Sequence, residues 1–432
     1  MTTSTTTTHE LVSAADRVRA GHEQQQARWE KGFTRRRFLA GAGMVATACL
    51  GSQLVTARYA FAAPSAGNGK TMVVVFLRGG FDGLGAVIPG DDPDYLTARG
   101  TMAIPSGSLL PMDRTFGLHP SLSALMPLWD RRQLGIVHAV GPRATNRSHF
   151  AAQDYIERGV ESPGTQTGWL ARALADSGPG TTFRAVCEGS TVATSLAGES
   201  GTVAMQGIDS VQLSRSTPAL LTALESLYTG LGGLAGEHGL LTLQTLADAV
   251  PIRAQFPDPA PGAVYSNDAV GQRMADIARL IKAQAGLRVA TIDIGGWDMH
   301  TNAGGVTGDM ASNVAALAKA LAAFVTDIGS WISEVTVVTM SEFGRRVPRN
   351  GSGGTDHGHG NVMFLLGGGV NGGLVHGSWP GLGPDELVNG DLAAANDYRD
   401  VLGEVTQHSL GIGSLASVFP GLAYHPLGVM LP

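Results

Sequence analysis

The sequence contains little cysteine. Only Cys49 and Cys187 occur in 432 residues, and Cys49 lies in an N-terminal segment that we expect to be removed. A chain left with one cysteine forms no intrachain disulfide bond, so its fold must be stabilised by its core. We interpret Cys187 as a small buried apolar residue.

The sequence also lacks a convincing membrane-spanning run near its N-terminus. A spanning helix needs about 20 strongly apolar residues, whereas residues 39–55 are diluted by Gly, Ala, Ser and Thr. This stretch overlaps Thr34-Arg35-Arg36-Arg37-Phe38-Leu39, which matches the core of a twin-arginine export signal. Ala60-Phe61-Ala62 then fits a small-x-small cleavage site. We predict that residues 1–62 are an export leader with a disordered polar front at residues 1–33, and not a membrane anchor.

Positive charge is scarce in the part of the chain that follows the leader. Removing residues 1–62 takes away eight of the 30 basic residues and four of the 36 acidic ones, which leaves 22 and 32 and a net charge of −10. This balance argues against nucleic acid or an anionic membrane as a partner. The leader predicts the twin-arginine translocase as a partner during export, and a periplasmic, cell-wall-associated or extracellular location.

Five continuous apolar runs predict β-strands that are covered on both faces. They are residues 72–77, 134–140, 288–294, 335–340 and 362–366. Helical patterns separate these runs, which is typical of an α/β fold with a mostly parallel sheet and helices on both faces. We predict one domain over residues 63–432, in which residues 165–265 form a helical cap or cover.

Four polar, glycine-rich runs lie just after these strands or close to them. They are Arg78-Gly79-Gly80-Phe81-Asp82-Gly83, Arg147-Ser148-His149, Gly295-Gly296-Trp297-Asp298-Met299-His300 and Gly354-Thr355-Asp356-His357-Gly358-His359. Loops that follow buried strands are where an α/β fold usually places its chemistry. We therefore expect the four runs to meet at one edge of the sheet.

The carboxylate and imidazole groups of these runs suit a divalent metal ion bound by oxygen and nitrogen ligands. The candidate ligands are Asp82, Asp298, His300, Asp356 and His357. Each one alone is better explained as an Asx-turn carboxylate or a surface histidine, but their conjunction at the ends of different strands favours a site for one or two ions (Zn, Mn, Mg or Ca). His359 and His376 are alternative residues to complete the ligand shell. Glu342 is a candidate ligand, a partner of a ligand or a helix cap.

Ser148 precedes a predicted helix, where unpaired backbone N–H groups favour a phosphate or sulfate. A metal-activated Ser148 hydroxyl would be a nucleophile at neutral pH; the alternative is an ordinary helix N-cap. Arg147 and Arg345 are candidates to bind the anion in the catalytic site, with structural ion pairs as the alternative role. His119, His138 and His408 lie in apolar contexts and are interpreted as structural groups.

Several motifs together resemble a known family. Besides the leader, they are Leu-Arg-Gly-Gly-Phe-Asp-Gly (77–83), Arg-Ser-His-Phe-x-x-Gln-Asp (147–154), Gly-Gly-Trp-Asp-x-His (295–300), Ser-Glu-Phe-Gly-Arg (341–345), Gly-Thr-Asp-His-Gly-His-Gly (354–360) and Asp-Tyr-Arg (397–399). Along essentially its whole length the chain is similar to the DUF1501 proteins, a family related to the alkaline phosphatase-like superfamily that includes sulfatases.

The resemblance implies an alkaline phosphatase-like three-layer α/β sandwich with a two-metal site. It implies Asp82, Ser148, Asp356 and His357 around one ion, with Ser148 as nucleophile. It implies Asp298 and His300 at the other ion, completed by His359 or His376. Two features depart from the pattern: the spacing of Asp298 and His300 is unusually short, and Ser148 is not followed by the x-Pro-x-Arg sequence that sulfatases need.

Three functions are therefore expected, in this order. The first is an exported metal-dependent hydrolase of phosphate or sulfate esters, acting on a small anionic ester or a sulfated or phosphorylated glycan. The second is a catalytically silent binding or scaffold protein of the same fold. The third is a phospho- or sulfo-transferase that acts on glycans.

Overall fold

The structure is a computed structural model that describes residues 69–214, 217–231, 233–256 and 258–432. The predicted leader, residues 1–62, lies outside the described residues. The described part contains two β-sheets, with helices packed on both faces of the larger one. The mixed α/β architecture predicted from the sequence is thereby confirmed.

The strands are numbered in chain order. They are β1 (Thr71–Leu77), β2 (Val87–Ile88), β3 (Leu110–Pro111), β4 (Gly117–Leu118), β5 (Leu134–Gly141), β6 (Ala185–Glu188), β7 (Thr202–Met205), β8 (Val289–Ile294), β9 (Val335–Met340), β10 (Asn361–Gly367), β11 (Val375–His376) and β12 (Asn396–Asp397). Continuous β-branched and apolar runs explain the long strands, since β1, β5, β9 and β10 are buried along their whole length.

The α-helices are likewise numbered in chain order. They are α1 (Gly83–Ala86), α2 (Pro93–Arg99), α3 (Met126–Asp130), α4 (His149–Arg158), α5 (Trp169–Asp176), α6 (Pro218–Leu231), α7 (Gly233–Ala254), α8 (Ala269–Lys282), α9 (Asp309–Ile328) and α10 (Tyr398–Leu410). Short 3-10 helices occur at Gly100–Met102, Ser106–Ser108, Pro120–Leu125, Thr194–Leu196, Ile208–Ser210 and Gly329–Glu334.

The larger sheet has nine strands in the order β11-β5-β10-β9-β1-β8-β6-β7, and β12 pairs with β5 next to β11. The pairs β9–β1, β1–β8, β8–β6 and β6–β7 are parallel. β10 runs antiparallel to both β9 and β5. The sheet is therefore mostly parallel, as predicted, with one reversed strand. The remaining strands form a small antiparallel sheet in the order β2-β4-β3.

Helices cover both faces of this sheet because alternate residues of its strands point to opposite sides. Val73 and Val75 of β1 pack in one core with residues of α8 and α9, such as Met274 and Phe324. Met72 and Val74 pack in the other core, with residues of α5 and α10 such as Leu170 and Val401. The segment Asp309–Glu334 is long and apolar enough to span a membrane by composition alone, but the side chains of α9 form part of the first core.

The segment predicted as a helical cap contains more than helices. α5, α6 and α7 account for much of residues 165–265, but β6 and β7 also lie there and extend the central sheet beyond β8. These strands have only four residues each. Runs this short carry too little periodicity to be recognised from the sequence.

The reversed strand β10 explains how distant runs meet. β1, β8 and β9 are parallel, so their carboxyl ends lie at one edge of the sheet. Because β10 is antiparallel to β9, its first residue Asn361 lies at that same edge, and Val140 near the end of β5 pairs with it. Residues that follow β1, β5, β8 and β9 and residues that precede β10 therefore converge.

Candidate functional site

Three histidines surround one carboxylate at this edge. Oδ1 of Asp298, in the loop after β8, lies 3.1 Å from Nε2 of His300 and 3.1 Å from Nε2 of His357. Its Oδ2 lies 3.4 Å from Nε2 of His149, the first residue of α4. The sequence therefore predicts correctly that Asp298, His300 and His357 meet. We call His149, Asp298, His300 and His357 the histidine cluster.

The other ring nitrogen of each histidine is held by an acceptor. Nδ1 of His357 lies 2.8 Å from the backbone oxygen of Arg147, and Nδ1 of His149 lies 2.7 Å from Oε1 of Glu342. Nδ1 of His300 lies 3.1 Å from Oδ1 of Asp356. A carbonyl or carboxylate oxygen can only accept, so all three Nδ1 atoms carry a proton. The three Nε2 atoms are thus the free coordinating atoms.

Within the described part of the protein, Nε2 of His300 and Nε2 of His357 contact only Asp298 and each other. Nε2 of His149 is buried and forms no hydrogen bond, and Nε2 of His300 lies 3.0 Å from Nε2 of His357. Two unprotonated nitrogens at that distance repel each other unless a proton or a cation lies between them. Ligand atoms ~2.0–2.2 Å from one tetrahedral ion are ~3.3 Å apart. One ligand atom each of His149, Asp298 and His357 lie within 4.8 Å of one another, so these three residues could hold a single metal ion, with His300 beside them as a further ligand.

Glu342 is a fully buried hydrogen-bond acceptor beside His149. Its side chain has no exposed surface, and its Oε1 accepts hydrogen bonds from Gly79 N, His149 Nδ1 and Gln153 Nε2. Burial by itself raises the pKa of Glu342, but the hydrogen bonds, with that of Gln153 first, outweigh it and lower the pKa below its usual value. Glu342 therefore stays ionised and fixes the tautomer of His149, the role that carboxylates have beside metal-bound histidines.

Arg345 orients the carboxylate of Asp298. Its guanidinium donates to Asp298 Oδ1 at 2.5 Å and also to the backbone oxygens of Gly79, Gly80, Trp297 and Thr355. Partial burial raises the pKa of Asp298, but Arg345, with His357 and His149, outweighs this effect and lowers the pKa to about 2. The side chain of Arg345 has no exposed surface, so it positions the cluster and is not accessible to a substrate anion.

Glycine residues let the loops approach closely. Gly79 has φ +121°, and a Cβ there would lie 2.6 Å from the backbone nitrogen of Asp298. A Cβ on Gly344 would overlap the carbonyl oxygen of Gly360. Phe343, between these loops, packs its ring against His149 and His357 at centroid distances of 4.9 and 4.8 Å. The glycine-rich motifs are thus required for close backbone packing.

Asp82 is occupied elsewhere. Arg99 of α2 donates to both oxygens of its carboxylate, at 2.5 and 2.7 Å, and both side chains are buried. Asp82 also caps α1 by accepting from Gly85 N. Its contacts are thus with Arg99 and with its own turn, and none of them joins it to the histidine cluster. The predicted role of Asp82 as a metal ligand gains no support from this arrangement.

His359 and His376 do not complete the ligand shell in this geometry. Nε2 of His359 lies 2.6 Å from the carbonyl oxygen of Pro142, and its Nδ1 lies 3.3 Å from Oγ1 of Thr145. Nε2 of His376 lies 2.7 Å from the carbonyl oxygen of Asn371. Because Nε2 of each ring donates to a carbonyl oxygen, it has no lone pair to offer an ion. The histidine that the sequence analysis misses is His149, although the motif Arg147-Ser148-His149 contains it.

Ser148 and Asp356 lie beside the cluster. Ser148 is exposed at the N-cap of α4, and its side chain forms no capping hydrogen bond. It directly precedes His149 in the chain, so its backbone lies next to the cluster. Hydrogen bonds from Asn350 and His300 lower the pKa of Asp356. Asp356 therefore acts as an outer partner of His300.

Arg147 and a second arginine share a buried carboxylate at the rim. Nη2 of Arg147 lies 2.5 Å from Oδ2 of Asp391, and Nε of Arg346 lies 3.4 Å from its Oδ1. Asp391 is almost fully buried, whereas about 41% of the Arg147 side chain and 35% of the Arg346 side chain are exposed. Two guanidinium groups on one carboxylate leave a net positive charge near His357, whose Nδ1 is bonded to Arg147. The guanidinium group of Arg78, by contrast, forms ion pairs with Glu157 and Asp293.

Comparison with known families gives a match over part of the chain. The model of DUF1501, described as a protein of unknown function, matches residues 255–400. This segment supports the resemblance and contains Asp298, His300, Glu342 and His357, whereas His149 lies outside it. No curated protein matches the chain.

Proposed function

We propose that the chain is a metal-dependent hydrolase of phosphate or sulfate esters whose site is the histidine cluster. One observation carries the proposal. Three imidazoles with protonated Nδ1 atoms direct their free Nε2 atoms at one carboxylate, His149 Nε2 being buried without a hydrogen-bond partner. This is the arrangement that metal-bound histidines have in proteins.

His149, His300, His357 and Asp298 would hold the ion. Three nitrogens and one oxygen favour zinc or manganese over magnesium and calcium, which prefer oxygen ligands throughout. Such an ion supplies Lewis acidity and lowers the pKa of a bound oxygen nucleophile. The proposal is for one ion at this cluster, because the carboxylate of Asp82 is already bound by Arg99.

The protein's own groups would bind and orient the substrate. The half-exposed guanidinium groups of Arg147 and Arg346 would bind the anionic ester, since Asp391 fixes both of them at the rim. Ser148 would present its hydroxyl as the nucleophile from the N-terminus of α4. Glu342 would keep the proton on Nδ1 of His149, which leaves Nε2 free.

A catalytically silent metal-binding or scaffold protein is the second candidate. It is favoured by the contacts of Asp82 and Arg345 inside the protein, which leave one ion position and fewer groups to bind an anion.

We further propose that the mature chain is exported through the twin-arginine route to the periplasm, the cell wall or the outside of the cell. Export of a fusion to the leader that stops on Arg35→Lys/Arg36→Lys substitution would support it.

The experiment is an ester-hydrolysis assay with metal analysis. The mature chain is stripped with chelator, reloaded with Zn, Mn, Mg or Ca, and assayed with aryl phosphate and aryl sulfate. His300→Ala is chosen because His300 is half exposed, and His425→Ala serves as the exposed control. We expect a stoichiometry of one ion and activity that His300→Ala and Ser148→Ala abolish. Metal binding without turnover of either ester supports the silent candidate, and no bound metal refutes both.

A further inference from the structure

A cavity separate from the histidine cluster lies at the same edge of the sheet. A cavity of about 570 Å³ opens beside the carboxyl ends of β6 and β7, and it is lined from the other side by α8. None of the residues of the histidine cluster lines it. Its volume is typical of a small-molecule site, and crevices outside the carboxyl ends of parallel strands are where such folds bind ligands.

Two buried carboxyl groups form the base of this cavity. Glu188 ends β6 and Asp276 lies on α8, and their exposed fractions are 3% and 7%. One oxygen of each is bonded: Glu188 Oε2 accepts from Gly207 N at 3.1 Å, and Asp276 Oδ1 accepts from Ile208 N at 2.8 Å. The other two oxygens, Glu188 Oε1 and Asp276 Oδ2, are buried without a partner.

Burial of the two acids together favours the protonated form of the carboxyl groups. Two ionised carboxylates cannot lie side by side in a buried place without a compensating charge. Burial, and then the charge of Asp276, raises the pKa of Glu188 to about 10, and burial also raises the pKa of Asp276. At neutral pH Glu188 therefore carries a proton, so the pair can both donate and accept hydrogen bonds.

Most charged side chains of the lining are paired, and the positive charge of Arg273 acts on Glu188. Arg279 pairs with Asp209 at 2.7 Å, and Asp327 pairs with Lys282 at 2.6 Å. Arg273 donates to the backbone oxygen of Asp293. The polar groups that remain for a ligand are the carboxyl pair and the carboxamides of two lining glutamines, Gln206 and Gln272. Every one of these groups both donates and accepts.

We propose that this cavity is a second binding site, for a small neutral molecule rich in hydroxyl groups, of the size of a mono- or disaccharide. A hydroxyl group also donates and accepts at once, so it matches the lining, whereas a free ion would meet charges that are mostly paired already. The site is independent of the proposed hydrolysis at the histidine cluster.

Titration calorimetry of the full chain with glucose and maltose tests this site. Ala275, which lines the cavity from α8 and is half buried, is replaced by Leu to fill it. Gln272→Ala removes one lining carboxamide, and Gln244→Ala is the matched control on an exposed part of α7. We expect saturable binding of at least one sugar, a loss of more than tenfold in affinity for Ala275→Leu, and a loss of about three- to tenfold for Gln272→Ala.

Gln244→Ala and His300→Ala should bind the sugar as the unaltered chain does, and the result for His300→Ala separates this site from the histidine cluster. Circular dichroism checks that each variant is folded; Gln272 is exposed, so its variant tests the proposal even if Ala275→Leu unfolds. Absence of saturable binding up to about 100 mM sugar, or unchanged affinity in a folded Ala275→Leu variant, overturns the proposal. Stabilisation by Ca²⁺ that Glu188→Gln abolishes, without sugar binding, overturns it in favour of a cation site.

Discussion

Nδ1 of His149 lies 2.7 Å from Oε1 of Glu342, a carboxylate with no exposed surface. The same oxygen accepts from Gly79 N after β1 and from Gln153 one turn further along α4. One buried atom therefore ties together the loop after β1, the helix after β5 and the loop after β9. The position and the tautomer of His149 both depend on it.

Replacing Glu342 with Gln tests this dependence. The substitution keeps the shape but removes the charged acceptor, so the imidazole of His149 is less firmly held. We expect the affinity for Zn²⁺ or Mn²⁺ to fall about 10- to 100-fold, measured by competition with a chelating dye. Glu225→Gln on the exposed face of α6 is the matched control. Equal affinities for the two variants would show that Glu342 does not support the ligands.

Asp82→Asn distinguishes an ion-pair role from a ligand role. The change leaves the buried Arg99 guanidinium without its carboxylate, which we expect to cost about 3–5 kcal/mol of unfolding free energy in urea denaturation. The loss should be the same with and without metal. The double variant Asp82→Asn/Arg99→Met should lose less than the sum of the single variants. A stability loss that appears only when metal is present would restore Asp82 as a ligand.

Replacing two glycines of the site motifs with alanine should change the melting temperature by very different amounts. A Cβ on Gly344 overlaps the carbonyl oxygen of Gly360, so Gly344→Ala should shift the loops that carry Phe343 and His357 and lower the melting temperature markedly. At Gly295 no atom lies within 4 Å of the added carbon, and its φ is ordinary, so Gly295→Ala should melt within a degree or two of the parent chain. Equal melting temperatures for the two variants would contradict the close packing of these loops.

The buried ring of His138 should make the unfolding free energy depend on pH. Its ring is buried against Phe116 and Trp379, its Nε2 lies 3.0 Å from the backbone oxygen of Val87, and burial lowers its pKa to about 4. Between about pH 4 and the ordinary histidine value near 6.5, the unfolded chain binds this proton and the folded chain does not. Unfolding free energy should therefore fall by roughly 3 kcal/mol as the pH drops through this window.

Denaturation series at several pH values measure this effect. His138→Gln should lower stability overall but reduce the slope between pH 4 and 6.5 by one proton. His425→Gln, at an exposed position, should keep the original slope. A slope that is identical in all three chains would assign the acid sensitivity to other groups.

The sequence predicts the long strands well because buried apolar runs leave few alternatives. β1, β5, β8, β9 and β10 lie where the runs predict them, within one residue. The reversed direction of β10 is not predictable in this way, since direction depends on which neighbour a strand pairs with. The four-residue strands β6 and β7 are too short to show a recognisable hydrophobic pattern.

For the site, the sequence predicts which motifs meet, but it does not predict which histidine nitrogens are available to bind an ion. Asp298, His300 and His357 do converge. His359 and His376 look equally suitable as residue types, yet each uses Nε2 on a carbonyl oxygen that comes from elsewhere in the fold. His149 is adjacent to Ser148, which offers the more familiar chemistry, and its role becomes visible only through Glu342. Hydrogen-bond partners that are distant along the chain are tertiary information.

In the histidine cluster, each ring and the acceptor of its own Nδ1 come from different stretches of the chain. No fragment contains a complete set, so an isolated piece of the protein has no preformed site to offer. Metal uptake should consequently be all-or-none with respect to folding, and the bound ion would raise the population of the finished architecture over partly assembled forms. If the chain is exported already folded by the proposed route, it would take up its metal before export.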